Sequence, residues 1–95
     1  MFKKLKDGRI ASDEGFSVKI TGRAGLVYKE GSKLINVDSE MSGNPGIGYV
    51  VASSSIDQWH GFKEKIKTKD KIRILNNIKE VFRFLGYKIK VIRNF

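Results

Sequence analysis

The sequence has no cysteine, one histidine, one proline and one tryptophan. Without cysteine there can be neither a disulfide framework nor a thiolate metal site, so packing alone must hold the chain together. A single histidine, His60, leaves one ordinary base for nucleophilic or general-base chemistry. No run of about 18 apolar residues occurs, which excludes a hydrophobic transmembrane helix. The basic start, Met1-Phe2-Lys3-Lys4-Leu5-Lys6-Asp7, is not followed by the apolar segment of a secretion signal. The expectation is a soluble, cytoplasmic protein. Carboxylates are also scarce, ten Asp and Glu against nineteen Lys and Arg, for a formal charge of +9.

That charge is unevenly spread. Residues 1–59 hold eight cations against seven anions, net +1, whereas residues 60–95 hold eleven against three, net +8. A one-sided field of this kind attracts anionic partners and speeds encounter with them. Nucleic acid and an acidic protein surface are the two partner classes it suggests. Ninety-five residues make one domain, 1–95, with residues 1–8 read as a frayed start. Such a chain buries roughly 65% of its unfolded surface and has a net stability on the order of 5–10 kcal/mol.

The first half reads as short strands separated by single glycines. Arg9-Ile10-Ala11 opens the sheet. Phe16, Val18 and Ile20 alternate onto one face, and Thr21-Gly22-Arg23 turns the chain. Leu26–Lys29 and Lys33–Val37 flank Glu30-Gly31-Ser32, a hairpin signal because glycine accepts the positive φ of a tight turn. Residues 39–46 read as a loop. Gly48-Tyr49-Val50-Val51-Ala52, unbroken in its apolar character, reads as a central strand buried on both sides, and Ser53 to His60 as irregular, with Ile56 and Trp59 as anchors.

One amphipathic helix is predicted from about Lys69 to Leu85. Its signals are Thr68 as N-cap, Asp70 in the first turn, and an apolar stripe of Ile72, Leu75, Ile78, Phe82 and Leu85 widened by Ile74 and Val81. Gly86 suits the position just past its end. A last strand alternates Tyr87, Ile89 and Val91 inward with Lys88 and Lys90 outward. The fold class is therefore α+β: an antiparallel sheet of about five to six short strands, one C-terminal amphipathic helix packed on one face, and a final strand.

The motif inventory points away from catalysis. His60 has Asp57 three residues before it, leaving a Ser-His-Asp arrangement open, but a lone histidine beside an aromatic is ordinarily a surface or packing residue. Under the hydrolase reading, His60→Ala abolishes activity. Asp38 and Glu40 could hold a hard cation only with help from the loop, and two solvated carboxylates are the simpler reading. The loop Gly43-Asn44-Pro45-Gly46-Ile47-Gly48 precedes a strand and lacks the adjoining Lys-Ser/Thr, unlike a phosphate-cradling loop. It is either a turn or an exposed contact loop with Ile47 near its tip. No enzyme activity, cofactor, metal or small-molecule substrate is expected.

Lys63, Lys65, Lys67, Lys69 and Lys71 form a basic run that continues with Arg73, Lys79 and Arg83 on the helix. It is either a solvated face or a binding ridge. Among carboxylates spaced to pair along the helix, only Glu80 near Arg83 stands out. Tyr49, Trp59 and Phe62 could stack on bases, but no zinc finger, RRM core sequence, GXXG loop before a helix or helix-turn-helix pair is present. A small basic nucleic-acid-binding domain remains the alternative reading.

Several segments together carry a resemblance. They are the hairpin Leu26-Val27-Tyr28-Lys29-Glu30-Gly31-Ser32-Lys33-Leu34, Asn36-Val37-Asp38-Ser39-Glu40-Met41, Ser55-Ile56-Asp57-Gln58-Trp59, Lys71-Ile72-Arg73-Ile74-Leu75-Asn76-Asn77-Ile78 and Gly86-Tyr87-Lys88-Ile89-Lys90-Val91. Over roughly residues 22–92 the chain resembles the immunity proteins of bacterial polymorphic-toxin and contact-dependent inhibition systems, in particular immunity protein family 74. The resemblance implies a non-enzymatic inhibitor that binds a cognate C-terminal toxin domain, commonly a nuclease, at its active site or an exosite. It transfers no binding residues. Two surfaces are selected from the residues themselves: the loop with Asn44, Pro45 and Ile47, and the ridge of Lys63, Lys65 and Lys67, with Arg73 as the member able to grip a carboxylate bidentately.

Overall fold

A computed structural model describes residues 1–21, 25–43 and 46–94. The strands begin where short β-prone runs are punctuated by turns. They are β1 (Phe2–Lys4), β2 (Ile10–Ser12), β3 (Phe16–Ile20), β4 (Leu26–Glu30) and β5 (Lys33–Val37), joined as an antiparallel meander in the order β1-β2-β3-β4-β5. The β4–β5 register pairs Glu30 with Lys33 across a two-residue turn. Gly31 supplies φ +62° at its first central position, the conformation in which a side chain would be strained. The predicted turn at Thr21-Gly22-Arg23 falls mostly outside the described residues.

The chain then passes Asp38 and changes sheet. β6 (Ser39–Met41) pairs antiparallel with β7 (Tyr49–Ala52), and β7 pairs in parallel with β8 (Ile89–Ile92). Between β7 and β8 lie a 3₁₀ turn at Ser53–Ser55 and the helix α1 (Thr68–Leu85). The α+β class, the five-stranded antiparallel sheet, the C-terminal helix and the final strand agree with the sequence reading. Three details do not. The final strand joins a separate three-stranded sheet, in which it runs parallel to its neighbour. The helix crossover allows that polarity. Residues 39–41 are a strand rather than part of a loop, with Ser39 buried against the core. Residues 2–4 are paired rather than frayed, because Phe2 packs against Phe16 at 6.0 Å and Phe84 at 5.5 Å.

One contiguous core draws on both sheets and the helix. Ile10, Phe16, Val18, Leu26, Tyr28, Ile35 and Val37 come from the meander, and Tyr49 and Val51 from the second sheet. Ile74, Ile78, Val81 and Phe82 come from α1. β7 is central in its sheet, as its apolar run suggests, although Val50 stays half-buried. Ile72, placed in the apolar stripe by spacing, is 55% exposed, because the stripe centres on Ile74, Ile78 and Val81 instead. Thr68 lies inside the helix, and the N-cap position is Lys67, with no side-chain cap. At the other end Gly86 adopts φ +84° and donates its N–H to the carbonyls of Phe82 and Arg83. Gly86→Ala is expected to cost about 1 kcal/mol, since any L side chain is disfavoured there. A urea midpoint equal to that of the parent would contradict this.

Candidate functional site

The segment between the 3₁₀ turn and α1 is short, but it is closely fastened. Gln58 and Lys65 face each other across an isolated antiparallel bridge, and Ile66 N–H donates to Asp57 carbonyl at 2.7 Å. Gln58 Nε2 donates to the Lys63 carbonyl at 2.6 Å, and Phe62 N–H to that of Trp59 at 3.0 Å. Buried Ile56 and Ile66 anchor both ends in the core. His60 N–H donates to the Leu34 carbonyl at 2.8 Å, which ties the segment to the edge of β5. A loop pinned this way presents its side chains with little freedom left to lose on binding.

What it presents is a lysine-rimmed aromatic hollow of about 630 Å³ beside the start of α1. Trp59 is half-buried against Tyr28, with ring centroids 6.2 Å apart. Phe62 is 50% exposed. The Lys33 ammonium reaches over both rings, 5.9 Å from the Trp59 centroid and 5.5 Å from that of Phe62. Both distances fall within cation–π range. Lys63, Lys65, Lys67 and Lys69, all exposed, line the wall together with the carboxylates of Glu64 and Asp70. Among the described residues, the only ion pair these lysines make is that of Lys65 with Asp57, at 4.0 Å.

The selected residues are thus only partly brought together. Lys63, Lys65 and Lys67 share the hollow. Arg73 does not line it and is engaged within the fold. Its guanidinium donates to Glu30 through Nη2 at 2.7 Å and Nε at 3.3 Å, and to Asp70 through Nη1. The hydrogen bonds it donates to Glu30, more than anything else, raise its already high pKa. Glu30 also accepts the Tyr28 hydroxyl at 2.7 Å, and that oxygen accepts from Asn77 Nδ2 at 2.9 Å. Arg73 is a strut between β4 and α1, not a free gripping residue. Sequence reading could not show this, because Glu30 is 43 residues away along the chain.

Ile47 lies at the opposite end of the molecule. Its neighbour Gly48 donates to the Lys88 carbonyl at 2.8 Å, just past the C-terminus of α1. The helix has 18 residues, a length of about 27 Å. The loop and the ridge are therefore two separate surfaces. Asn44 and Pro45 lie outside the described residues. The far end has its own basic hollow, about 520 Å³, lined by Lys79, Arg83, Gly86, Tyr87, Lys88 and Ile89.

The sequence pattern does not mark Lys33 as a site residue, and it marks Phe62 only as a candidate for stacking on bases. The pairing of Glu30 with Lys33 does place Lys33 at the mouth of the hairpin. Its approach to the aromatics, however, depends on how residues 57–66 fold back on β5.

The catalytic candidates do come near one another. Ser55, Asp57 and His60 line one shallow hollow with Ile35, Asn36 and Gln58. Among the described residues, no hydrogen bond joins the three side chains. Ser55 Oγ donates to the Ala52 carbonyl at 2.6 Å and accepts the Asp38 N–H at 2.9 Å. That hydroxyl secures the corner between β5 and β6. Also among the described residues, no group of three or more His, Asp or Glu is placed to hold a metal ion, and no helix is long and apolar enough to cross a membrane.

No family model, curated protein or solved structure matches the chain.

Proposed function

We propose that this chain is an immunity-type inhibitor that binds an acidic surface of a cognate protein toxin and blocks it by occlusion. The observation that carries the reading is the hollow at the start of α1. An aromatic patch enclosed by cations on a rigid loop has the anatomy of the energetic centre of a protein–protein interface, where a few anchors carry most of the affinity. The resemblance over residues 22–92 supplies the class of partner. The charge of residues 60–95 supplies its sign, since a +8 half is repelled by a basic nuclease cleft and attracted to carboxylates. Inhibition from an acidic exosite fits that balance better than insertion into a phosphate-binding active site.

The test is co-expression with the product of the gene adjacent to its own. The expected result is a stable complex on size exclusion and restored growth of cells making the toxin. Absence of both the complex and the rescue would sink the proposal. A nucleic-acid-binding domain would instead show affinity for DNA or RNA that falls steeply with salt, through counterion release.

A further inference from the structure

We propose that the hollow formed by Lys33, Trp59, Phe62 and the lysines at 63, 65 and 67 is a receptor for an extended acidic segment of a protein. A carboxylate meets the Lys33 ammonium, and a neighbouring apolar side chain lies against Phe62. The inference deepens the protein-partner reading above and rests on it.

Lys33 is the organising residue. Its ammonium is held over two aromatic rings at 5.9 and 5.5 Å, so a side chain that would otherwise sample many rotamers is already positioned. Little ordering entropy remains to oppose binding. The surrounding charge is surplus. Of the carboxylates close by, Asp70 bonds to Arg73 and Asp57 stands opposite Lys65, which leaves Glu64 against Lys33, Lys63, Lys67 and Lys69. Phe62, half exposed on a pinned loop, offers the apolar contact. The volume, about 630 Å³, lies within the range of a small-ligand site, roughly 300–1,000 Å³.

The same geometry argues against a nucleic-acid strand. Single strands bind by stacking bases on aromatic faces. Here one ammonium lies over both rings. A base stacking across both rings has to displace it, whereas a carboxylate pairs with it where it stands and an apolar side chain needs only the exposed part of Phe62.

Trp59 is the chain's single indole and lines the hollow, so its fluorescence reports occupancy. At low salt, a short glutamate-rich peptide with one central leucine should change its emission saturably. A lysine-rich peptide of equal length should leave it unchanged. An oligo(dT) strand should bind at least about tenfold more weakly than the acidic peptide. Lys33→Met keeps the stem and removes the charge, and should weaken the acidic peptide about tenfold. Joint charge reversal of Lys63, Lys65 and Lys67 should weaken it further. Reversal of Lys79, Arg83 and Lys88 at the far end, the same change in net charge, should leave it nearly unaffected. If a reversal disturbs the thermal melt, the corresponding glutamine set replaces it.

The inference is overturned by a flat emission titration, by tighter binding of the oligonucleotide, or by equal weakening from both ends, which would reduce the effect to net charge. No toxin is needed for these measurements. Peptide binding without a toxin complex would leave the receptor standing and remove the toxin reading. A toxin complex indifferent to Lys33→Met and to the triple reversal would do the opposite.

Discussion

Replacing Phe82 with alanine is expected to remove about 3–5 kcal/mol of stability, more than any other single change considered for this chain apart from the loss of Tyr28. Phe82 is fully buried on the inner face of α1, next to Ile78 and Val81. Its ring lies 4.9 Å from that of Tyr49 on β7 and 6.4 Å from that of Tyr87 just beyond the helix. The side chain therefore joins three parts of the fold: the helix, the second sheet and the turn into β8. Truncation leaves a hole that a helix docked along its whole length cannot easily close. With a total stability on the order of 5–10 kcal/mol, the variant should melt roughly 15–30 °C below the parent. Urea unfolding followed by circular dichroism gives the direct reading, with the midpoint lowered and the slope unchanged. Phe82→Leu preserves most of the volume and should cost under about 1.5 kcal/mol. A Phe82→Ala loss below about 1 kcal/mol would show that the helix packs less tightly on β7 than described.

Tyr28 carries two separable contributions. Its ring is fully buried between Phe16, at 5.8 Å, and Trp59, at 6.2 Å. Its hydroxyl bridges Glu30 and Asn77. Tyr28→Ala removes both and should cost about 3–5 kcal/mol. Tyr28→Phe keeps the ring and leaves the Asn77 amide and one Glu30 oxygen without that partner, at about 1–3 kcal/mol. The hydroxyl also has a pH signature. Burial first, then the bond to Glu30, pushes the phenol above its ordinary pKa. Above about pH 10 the unfolded phenol ionises, while the folded one keeps its proton. The parent's extra stability is therefore complete below that pH and declines above it. Lysines titrate in the same range, so the informative quantity is the difference between parent and Tyr28→Phe. That difference should shrink as pH rises past about 10. A constant difference would mean the phenol is not shielded.

The strands and helix were legible in the sequence wherever one side chain period dominated. The alternation of Phe16 and Val18 and the Gly31 hairpin follow from local pattern, the helix face does so except that Ile72 points outward and Ile74 and Val81 lie at its centre, and Gly86 marks the helix end by its own conformation. What was not legible depended on partners distant in sequence. Phe2 becomes part of a strand because Phe84 and Phe16 lie under it. Ser39–Met41 has no apolar alternation and becomes a strand because β7 is beside it. The polarity of β8 is set by the helix crossover, not by its own residues. At the candidate site, the lysines at 63, 65 and 67 stood out by charge alone, and so did Arg73, although Glu30 and Asp70 withdraw it from the surface. Charge in a sequence is visible before its neutralisation is. Lys33 is the converse case: its aromatic partners, Trp59 and Phe62, are distant in sequence, so no local pattern marks it.

The parallel pairing of β7 with β8 also bears on the order in which the chain assembles. Within the meander each strand meets its neighbour after only a few residues, so hairpins can zip up one after another with small loop-closure cost. Tyr49 meets Ile89 only after the whole of α1 has been laid down between them. That contact spans the longest stretch of chain in either sheet and adds to the topological separation that slows folding. The pairing of β7 with β8 is thus expected to close after the more local hairpins, and it brings Ile89 against the core that both sheets share.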